Sequence, residues 1–119
     1  MEHKEVGNQG ESIAKEFLIK KGYTILESNW QYLHKEIDII ACDASNIIIV
    51  EVKTRTTTFQ NPLDAVNKQK QKKLISAANS YVRQKHIDKN IRFDVVSVLI
   101  LNGKIEVEHV ENAFYPLLR

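Results

Sequence analysis

The feature that most constrains the fold is the apolar run Ile47–Val50, which is followed directly by Glu51, Val52 and Lys53. Four consecutive β-branched apolar residues that follow a turn-forming segment predict a strand buried on both faces. Charged side chains at the end of such a strand are costly unless they are paired or functional. The run therefore predicts a central strand and a candidate site at its end.

The residues around this strand predict seven elements in the order α-β-β-β-α-β-β. A capping-box-like start, helical spacing of apolar residues and a glycine stop predict the first helix over residues 8–21. An Asn-Pro start and an apolar stripe predict the second helix over residues 61–86. We expect the strands at residues 23–30, 35–42, 46–54, 92–101 and 104–111, with a hairpin turn at Asn102-Gly103.

A helix between the third and fourth strands requires a crossover connection, so these two strands are expected to be parallel. We therefore expect an α/β fold, with a mixed sheet and a helix on each face. A length of 119 residues suits a single domain over residues 1–119. The single cysteine, Cys42, excludes an internal disulfide and favours a cytoplasmic protein, and no apolar run is long enough to cross a membrane.

Positive charge is concentrated in one part of the chain. Residues 53–92 hold ten basic and two acidic residues, whereas the net charge of the whole chain is only +2. Such a concentration favours a polyanionic partner, with nucleic acid as the first candidate. A solvated lysine-rich helix is the alternative, and charge alone does not separate the two.

The strongest candidate for chemistry lies on the second and third strands. Strand alternation places Glu51 and Lys53 on one face. A two-residue turn at Ala44-Ser45 would put Asp38 opposite Glu51 and Glu36 opposite Lys53, with Cβ atoms about 4.5–5.5 Å apart. Two carboxylates at that distance repel each other unless a divalent cation lies between them, and all-oxygen ligands suit Mg²⁺ or Mn²⁺. The alternative is an ordinary cross-strand ion network.

Four residues could contribute further to this site. Lys53 would hold an attacking water or stabilise charge developing on phosphorus. Glu11 is either a third carboxylate facing the sheet or the partner of Asn8 in a capping box. Lys70 interrupts the apolar stripe of the second helix, so it either extends to the sheet edge or reaches a phosphate near the carboxylates. Arg55 is either a bidentate phosphate ligand or a solvated charge at a strand end.

The arrangement of an acid, a hairpin and Glu-x-Lys resembles the PD-(D/E)XK nuclease superfamily. A larger set of motifs resembles the bacterial YraN-like family between about residue 7 and residue 114. These motifs are GNQGE at 7–11, EID at 36–38, EVKTR at 51–55 and RFDVV at 92–96. The resemblance implies a restriction-endonuclease-like core similar to that of archaeal Holliday-junction resolvases.

The same resemblance implies roles for individual residues. Asp38 and Glu51 would bind metal, and the carbonyl of Val52 would add a ligand. Lys53 would position water, and Glu11 would correspond to the acid that some superfamily members supply from the first helix. Lys35 stands where the YraN-like family usually has glycine, which would alter the entry to the strand or add a phosphate contact.

The expected function is that of a Mg²⁺- or Mn²⁺-dependent nuclease that hydrolyses phosphodiester bonds in nucleic acid, with structured or branched DNA among its substrates. One alternative is a non-catalytic DNA-binding module that keeps the nuclease fold. Another is a small interaction protein with no nucleic-acid role. A homodimer would suit a small protein that cuts two strands. The roles of Glu36 and Asp94, and the choice between DNA and RNA, stay open at this level.

Overall fold

The structure, a computed structural model, describes residues 3–58 and 61–115. In this part of the chain, five strands form one mixed sheet with the order β1-β2-β3-β4-β5. Two α-helices, a short 3₁₀ helix and the five strands have these bounds: α1 His3–Lys20, β1 Thr24–Tyr32, β2 Lys35–Cys42, β3 Asn46–Arg55, 3₁₀ helix Pro62–Ala65, α2 Lys68–Gln84, β4 Asn90–Leu101 and β5 Lys104–Phe114. The expected α/β class and the order α-β-β-β-α-β-β are therefore confirmed.

The hairpin between β2 and β3 has the register expected from its sequence. Ile39 pairs with Val50, and the turn consists of Ala44-Ser45. The Asp43 side chain accepts hydrogen bonds from the backbone N–H groups of Ser45 (2.9 Å) and Asn46 (2.8 Å), which is how an Asp stabilises a tight turn. The turn length thus determines which residues of the two strands lie side by side.

The remaining strand pairs also follow local sequence signals. β3 and β4 are parallel, as a helical crossover requires. β4 and β5 are antiparallel and are joined at Asn102 (φ 52°) and Gly103 (φ 75°). Two consecutive residues with positive φ define the turn that matches the natural twist of a hairpin.

The two helices cover opposite faces of the sheet. Ala14 and Leu18 of α1 pack on one face, and the sheet residues that they meet include Ile39, Ala41, Ile48, Val50, Val96 and Val98. Leu74, Ala77 and Tyr81 of α2 pack on the other face, and the sheet residues there include Ile37, Ile40, Ile47, Ile49, Phe93 and Val95. A helix on each face is therefore confirmed. Neither helix of the described residues is long and apolar enough to cross a membrane.

The start of α1 differs from the prediction. The helix begins at His3 rather than Asn8, so Asn8 lies inside it and the capping box with Glu11 is wrong. Gly10 is buried where α1 crosses β3, and a Cβ there would lie 2.9 Å from Thr54 Cβ and closer still to its Oγ1. Close tertiary contact therefore outweighs the low helix propensity of this glycine-containing segment.

The second helix also differs from the prediction, because it is interrupted. Pro62–Ala65 forms a 3₁₀ helix, and α2 begins only at Lys68 after a second cap, Asn67. The Asn67 side chain accepts a hydrogen bond from the Lys70 backbone N–H (2.8 Å). An asparagine that caps a helix competes with continuation of the preceding turn. This second start places Lys70 in the first turn of α2.

Candidate functional site

A cavity of about 580 Å³ opens where the ends of β2 and β3 meet the first turns of α1. Six of the eight residues proposed from the sequence line it, namely Glu11, Asp38, Glu51, Val52, Lys53 and Arg55. The cavity has further lining residues that were not proposed from the sequence, namely Val6, Gly7, Thr54, Thr56 and Thr57. The available signal was the threonine-rich stretch that follows Lys53.

Asp38 and Glu51 approach each other because the pairing of β2 with β3 stops just before them. The last paired residues are Ile39 and Val50. Beyond this point the Asp38 Oδ2 accepts a hydrogen bond from the backbone N–H of Val52 (2.9 Å), so a side chain takes the place of a backbone partner. The gap between the two strands then contains both carboxyl groups.

The predicted pairing of Glu36 with Lys53 is wrong for the same reason. Glu36 lies beyond the end of the β2–β3 ladder, and its carboxylate accepts a hydrogen bond from Gln31 Nε2 (3.0 Å) on β1. Lys53 is exposed and lines the cavity. The side chain of Glu36 therefore belongs to the exposed β1–β2 surface, outside the cavity.

Glu51 is the least satisfied acid of the site. One oxygen, Oε2, lies 3.3 Å from Lys70 Nζ, while the other, Oε1, is buried without a hydrogen-bond partner among the described residues. Burial, reinforced by the neighbouring Asp38, raises the pKa of Glu51 to about 8. A buried carboxylate oxygen without a donor is costly, so the site is electrostatically incomplete.

The other two acids share this environment. Burial raises the pKa of Asp38, although hydrogen bonds from Val52 and with Glu51 act in the opposite direction. Burial and the charge of Asp38 raise the pKa of Glu11, and a hydrogen bond with the Asn29 side chain partly offsets this. The charge of Asp38 contributes to the raised pKa of Glu51, so the two acids do not titrate independently.

The donor atoms in the gap fit a hard divalent cation. Asp38 and Glu51 supply carboxylate oxygens, and the Val52 carbonyl points to the same side of β3 as its N–H group, towards Asp38. Within residues 3–58 and 61–115, no group of three or more His, Cys, Asp or Glu side chains is placed to hold a metal ion. A cation here would keep several water or phosphate ligands, as Mg²⁺ usually does.

Two basic residues reach the site from different elements. The contact between Lys70 and Glu51 shows that Lys70 extends towards the carboxylates. Arg55 lies at the end of β3, where its Nε donates a hydrogen bond to Ser97 Oγ on β4 (2.8 Å). Ser97 is itself buried, so this contact positions the Arg55 side chain beside the cavity.

Lys35 lies away from the carboxylates. Its Nζ donates a hydrogen bond to Ser76 Oγ on α2 (3.0 Å), and its side chain lines a separate groove along that helix. The structure therefore does not bring Lys35 together with Asp38 and Glu51.

Asp94 forms a second buried acidic site whose role was open at the level of sequence. Its side chain accepts two hydrogen bonds from Arg92, one from His109 and one from the backbone N–H of Asn112. Burial raises the pKa of Asp94, but these hydrogen bonds outweigh burial and the pKa is lowered. Lys21 Nζ donates to His109 Nδ1, so the proton of a neutral imidazole lies on Nε2 and points at Asp94.

Local sequence gave only part of the signal for this network. Arg92 and Asp94 are two residues apart and so share a strand face. His109 and Asn112 join them through a register shift between β4 and β5 near Phe93 and Val95. None of these residues lines the carboxylate cavity. The network joins β4 and β5 to the end of α1, which indicates a structural role.

The fold and the cavity together define a class: an α/β protein whose mixed sheet carries paired carboxylates where two strands separate. The family described as Uncharacterised protein family UPF0102 matches residues 10–98, and the chain belongs to this family. This confirms the family resemblance expected from the motifs. The matched region contains Glu11, Asp38, Glu51 and Lys53. The resemblance to the wider nuclease superfamily stays a prediction.

Relatives similar to this chain cover nearly its whole length. The UPF0102 protein FP2501 of Flavobacterium psychrophilum is 45% identical over 115 residues, which are 96% of this chain and 97% of that protein. The UPF0102 protein of Parabacteroides distasonis is 42% identical over 116 residues, covering 97% and 96%. That of Bacteroides thetaiotaomicron is 42% identical over 118 residues, covering 98% of each.

Proposed function

We propose that this protein is a metal-dependent nuclease that hydrolyses phosphodiester bonds in nucleic acid, with structured or branched DNA as its substrate. One observation carries the proposal: among the described residues the buried Oε1 of Glu51 has no hydrogen-bond partner, although it lies beside a second carboxylate in a cavity open to solvent. A divalent cation would satisfy that oxygen and relieve the repulsion between the acids. The proposal includes membership of the PD-(D/E)XK superfamily and kinship with archaeal Holliday-junction resolvases.

The residues of the gap would hold the metal with oxygen ligands only. Asp38 and Glu51 would bind through their carboxylates, and Val52 would bind through its backbone carbonyl. When bound, Mg²⁺ or Mn²⁺ supplies a Lewis acid that polarises the phosphate and lowers the pKa of a coordinated water. Glu11 lines the same cavity and adds negative charge at its α1 side.

The cationic residues around the cavity would act on the substrate. Lys53 is exposed to the cavity and would position the attacking water or stabilise negative charge on the phosphate. Arg55, positioned by Ser97, would hold a non-bridging phosphate oxygen. In the hydrolysis, the water oxygen forms a bond to phosphorus, the bond from phosphorus to the sugar oxygen breaks, and that oxygen leaves with a proton.

The charge distribution supports a nucleic-acid substrate. Lys53, Arg55 and Lys70 all belong to the basic segment 53–92. A concentrated positive segment next to the cavity would attract a phosphate backbone, and the affinity would fall steeply with salt as counterions are released. We also propose that the protein acts in the cytoplasm and forms a homodimer when it cuts two strands.

One observation favours the alternative of a non-catalytic DNA-binding module. Lys70 already lies 3.3 Å from Glu51 Oε2 and gives the acid a counter-charge without a metal. In that case DNA binding would need no divalent cation, and no cleavage would occur.

A cleavage assay separates the two functions. Linear, nicked and four-way-junction DNA are incubated with the protein in Mg²⁺, in Mn²⁺ and in chelator. We expect metal-dependent cleavage by the wild type, with loss of cleavage in Asp38→Asn and Glu51→Gln. Glu36→Gln is the matched control, because it removes a nearby carboxylate that lies outside the cavity. Cleavage that persists in Asp38→Asn contradicts the proposal, and binding without any cleavage supports the alternative.

A further inference from the structure

A second groove, here called the α2 groove, lies along α2 beside the loop that joins β1 to β2, and its volume is about 1190 Å³. Its basic lining residues are Lys35, Lys68, Lys72 and Arg83, and no Asp or Glu of the described chain lines it. None of its lining residues lines the carboxylate cavity. The α2 groove is therefore a separate surface with a single sign of charge.

The charges of α2 are placed at a cost to the helix. Its first six residues, 68–73, include four lysines, and the whole of α2 contains no acidic residue. The N-terminus of a helix carries partial positive charge, so cations in the first turns are unfavourable and repel one another. The unfavourable placement is understandable if an anionic partner neutralises these lysines.

The α2 groove also contains aromatic and apolar side chains, of which Tyr115 and Leu33 are exposed and Tyr32 is half-buried. Tyr32 stacks on Trp30 with ring centroids 5.9 Å apart and an angle of 4° between the rings. Tyr115 is 69% exposed, and Leu33 is 75% exposed. Large apolar side chains left exposed beside cations are typical of a binding surface. Proteins hold single-stranded nucleic acid with two features: a basic groove that follows the backbone and aromatic rings on which the bases stack.

We propose that the α2 groove binds a single-stranded segment of nucleic acid. The phosphate backbone would follow the basic side chains from Lys68 to Arg83, a distance of about 22 Å along the helix axis. Bases would stack on Tyr115 and Tyr32. Lys35 is held at the groove by its hydrogen bond to Ser76 and would contact a phosphate there.

This inference deepens the proposed function, because it rests on nucleic acid being the substrate of the carboxylate cavity. It adds that the preferred substrate has a single-stranded part, such as a flap, a gap or an unpaired arm. The two surfaces have no lining residue in common, so each can be altered separately.

The test is fluorescence anisotropy in chelator with a labelled oligothymidylate of about 12 nucleotides, a length within the range that such grooves cover. The variant Lys72→Gln with Arg83→Gln removes two charges from the α2 groove. The control, Lys20→Gln with Lys104→Gln, removes two exposed charges elsewhere. We expect the groove variant to lose about ten-fold in affinity at moderate salt, and its slope of log K against log salt to decrease by about 1.4. The control should stay within about two-fold of the wild type.

A second pair of variants tests stacking without any change of charge. Tyr115→Ala should weaken oligothymidylate binding by about five-fold or more at an unchanged salt slope, whereas Tyr115→Phe should keep the wild-type affinity. Circular dichroism melts show that each variant is folded. Equal losses in the groove variant and its control would overturn the inference, since binding would then be diffuse. A groove variant that changes the oligomeric state without changing affinity would also overturn it and assign the groove to a second copy of the chain.

The same experiments distinguish this inference from the nuclease proposal. Oligothymidylate binding is measured without metal, so it does not depend on cleavage. If the wild type binds the single strand through the groove but cleaves nothing, only the nuclease proposal fails. If cleavage depends on Asp38 while the groove variant binds normally, only the present inference fails.

Discussion

The two buried acidic sites of the sheet differ in how completely the protein satisfies them. The Asp94 side chain is 0% exposed and accepts hydrogen bonds to both of its oxygens, from Arg92, His109 and Asn112. The Glu51 side chain is 12% exposed, contacts Lys70 at one oxygen and, within the described part of the chain, has no hydrogen-bond partner at the other. Both acids sit in strands of the same sheet, so secondary structure does not explain the difference.

The consequence is an opposite shift in pKa. Burial raises the pKa of both acids, but at Asp94 the hydrogen bonds prevail and the pKa is lowered. At Glu51 burial and the charge of Asp38 prevail, and the pKa rises to about 8. A buried acid whose oxygens all accept hydrogen bonds from the protein stabilises the fold. A buried acid with an oxygen that lacks a donor is available to an ion or a substrate.

The largest expected effect on stability comes from removing the charge of Asp94, the acid whose two oxygens both accept hydrogen bonds. Asp94→Asn removes the charge that balances Arg92 and should lower the free energy of unfolding by about 3–5 kcal/mol, because a cation is left without its buried partner. Urea denaturation at neutral pH measures the change. The control Glu111→Gln removes a partner of Arg92 that is 48% exposed, and it should cost less than about 1 kcal/mol. Similar costs for the two variants would show that Asp94 is not a structural anchor.

The second prediction concerns pH. The pKa of Glu51 is raised from its ordinary value of 4.5 to about 8 in the folded protein, so the folded state holds the proton more tightly than the unfolded state. The resulting stabilisation is complete below about pH 4.5 and is lost as pH rises through about 8. The metal-free protein should therefore lose a few kcal/mol of stability between about pH 5 and about pH 9.

Thermal melts in chelator across this range measure the effect. Glu51→Gln should show much less loss, because its amide does not ionise between Asp38 and Lys70. The lowered pKa of Asp94 has the opposite sign, since its stabilising contribution is present at neutral pH and is lost only as pH falls through its folded pKa, below the ordinary value of 3.8. Identical pH profiles for wild type and Glu51→Gln would contradict the assignment of the shift to Glu51.

The third prediction concerns the close packing of α1 on β3 beside the carboxylate cavity, at the contact between Gly10 and Thr54. Gly10→Ala places a methyl group against Thr54 and should cost about 1–3 kcal/mol, because α1 must move away from β3. Gly7→Ala is the matched control in the same helix. A Cβ at Gly7 meets nothing within 4 Å, so this change should stabilise by up to about 1 kcal/mol. Denaturant midpoints compare them, and equal effects would exclude close packing at Gly10.

The smallest expected effect on stability comes from Asp38→Asn. If the acids form a metal site, neutralising one of them relieves repulsion between the two carboxylates. The free energy of unfolding should then stay unchanged or rise by up to about 1 kcal/mol, with an equal or slightly higher melting temperature. The same variant should lose the Mg²⁺-dependent rise in melting temperature that ligand binding gives the wild type. A lower melting temperature for the variant, together with no Mg²⁺ effect in either protein, would favour an ion network over a metal site.

Much of the fold could be predicted from the sequence because its signals are local. The apolar run Ile47–Val50 and the turn at Ala44-Ser45 determine β3 and its register with β2, since alternation and turn length are properties of neighbouring residues. Asn102-Gly103 determines the last hairpin in the same way. The helix starts were predicted less well, because apolar periodicity does not reveal their causes. Gly10 lies in α1 because of a close contact with Thr54, which is distant in the chain, and Asn67 starts α2 as a second cap.

For the site, the sequence by itself determined that Asp38 and Glu51 lie close together, whereas the Glu36–Lys53 pairing that the same register predicts does not form. Turn length and strand alternation are local properties of the chain, and they place Asp38 beside Glu51. Only the tertiary structure decided that Lys70 reaches Glu51 and that Lys35 does not. It also decided that no described residue donates a hydrogen bond to one oxygen of Glu51. The tertiary structure also decided that His109 and Asn112 of β5 donate hydrogen bonds to the Asp94 carboxylate. The reason is physical: register is a short-range property of the backbone, whereas burial, hydrogen-bond partners and pKa depend on how segments distant in the chain pack around each group.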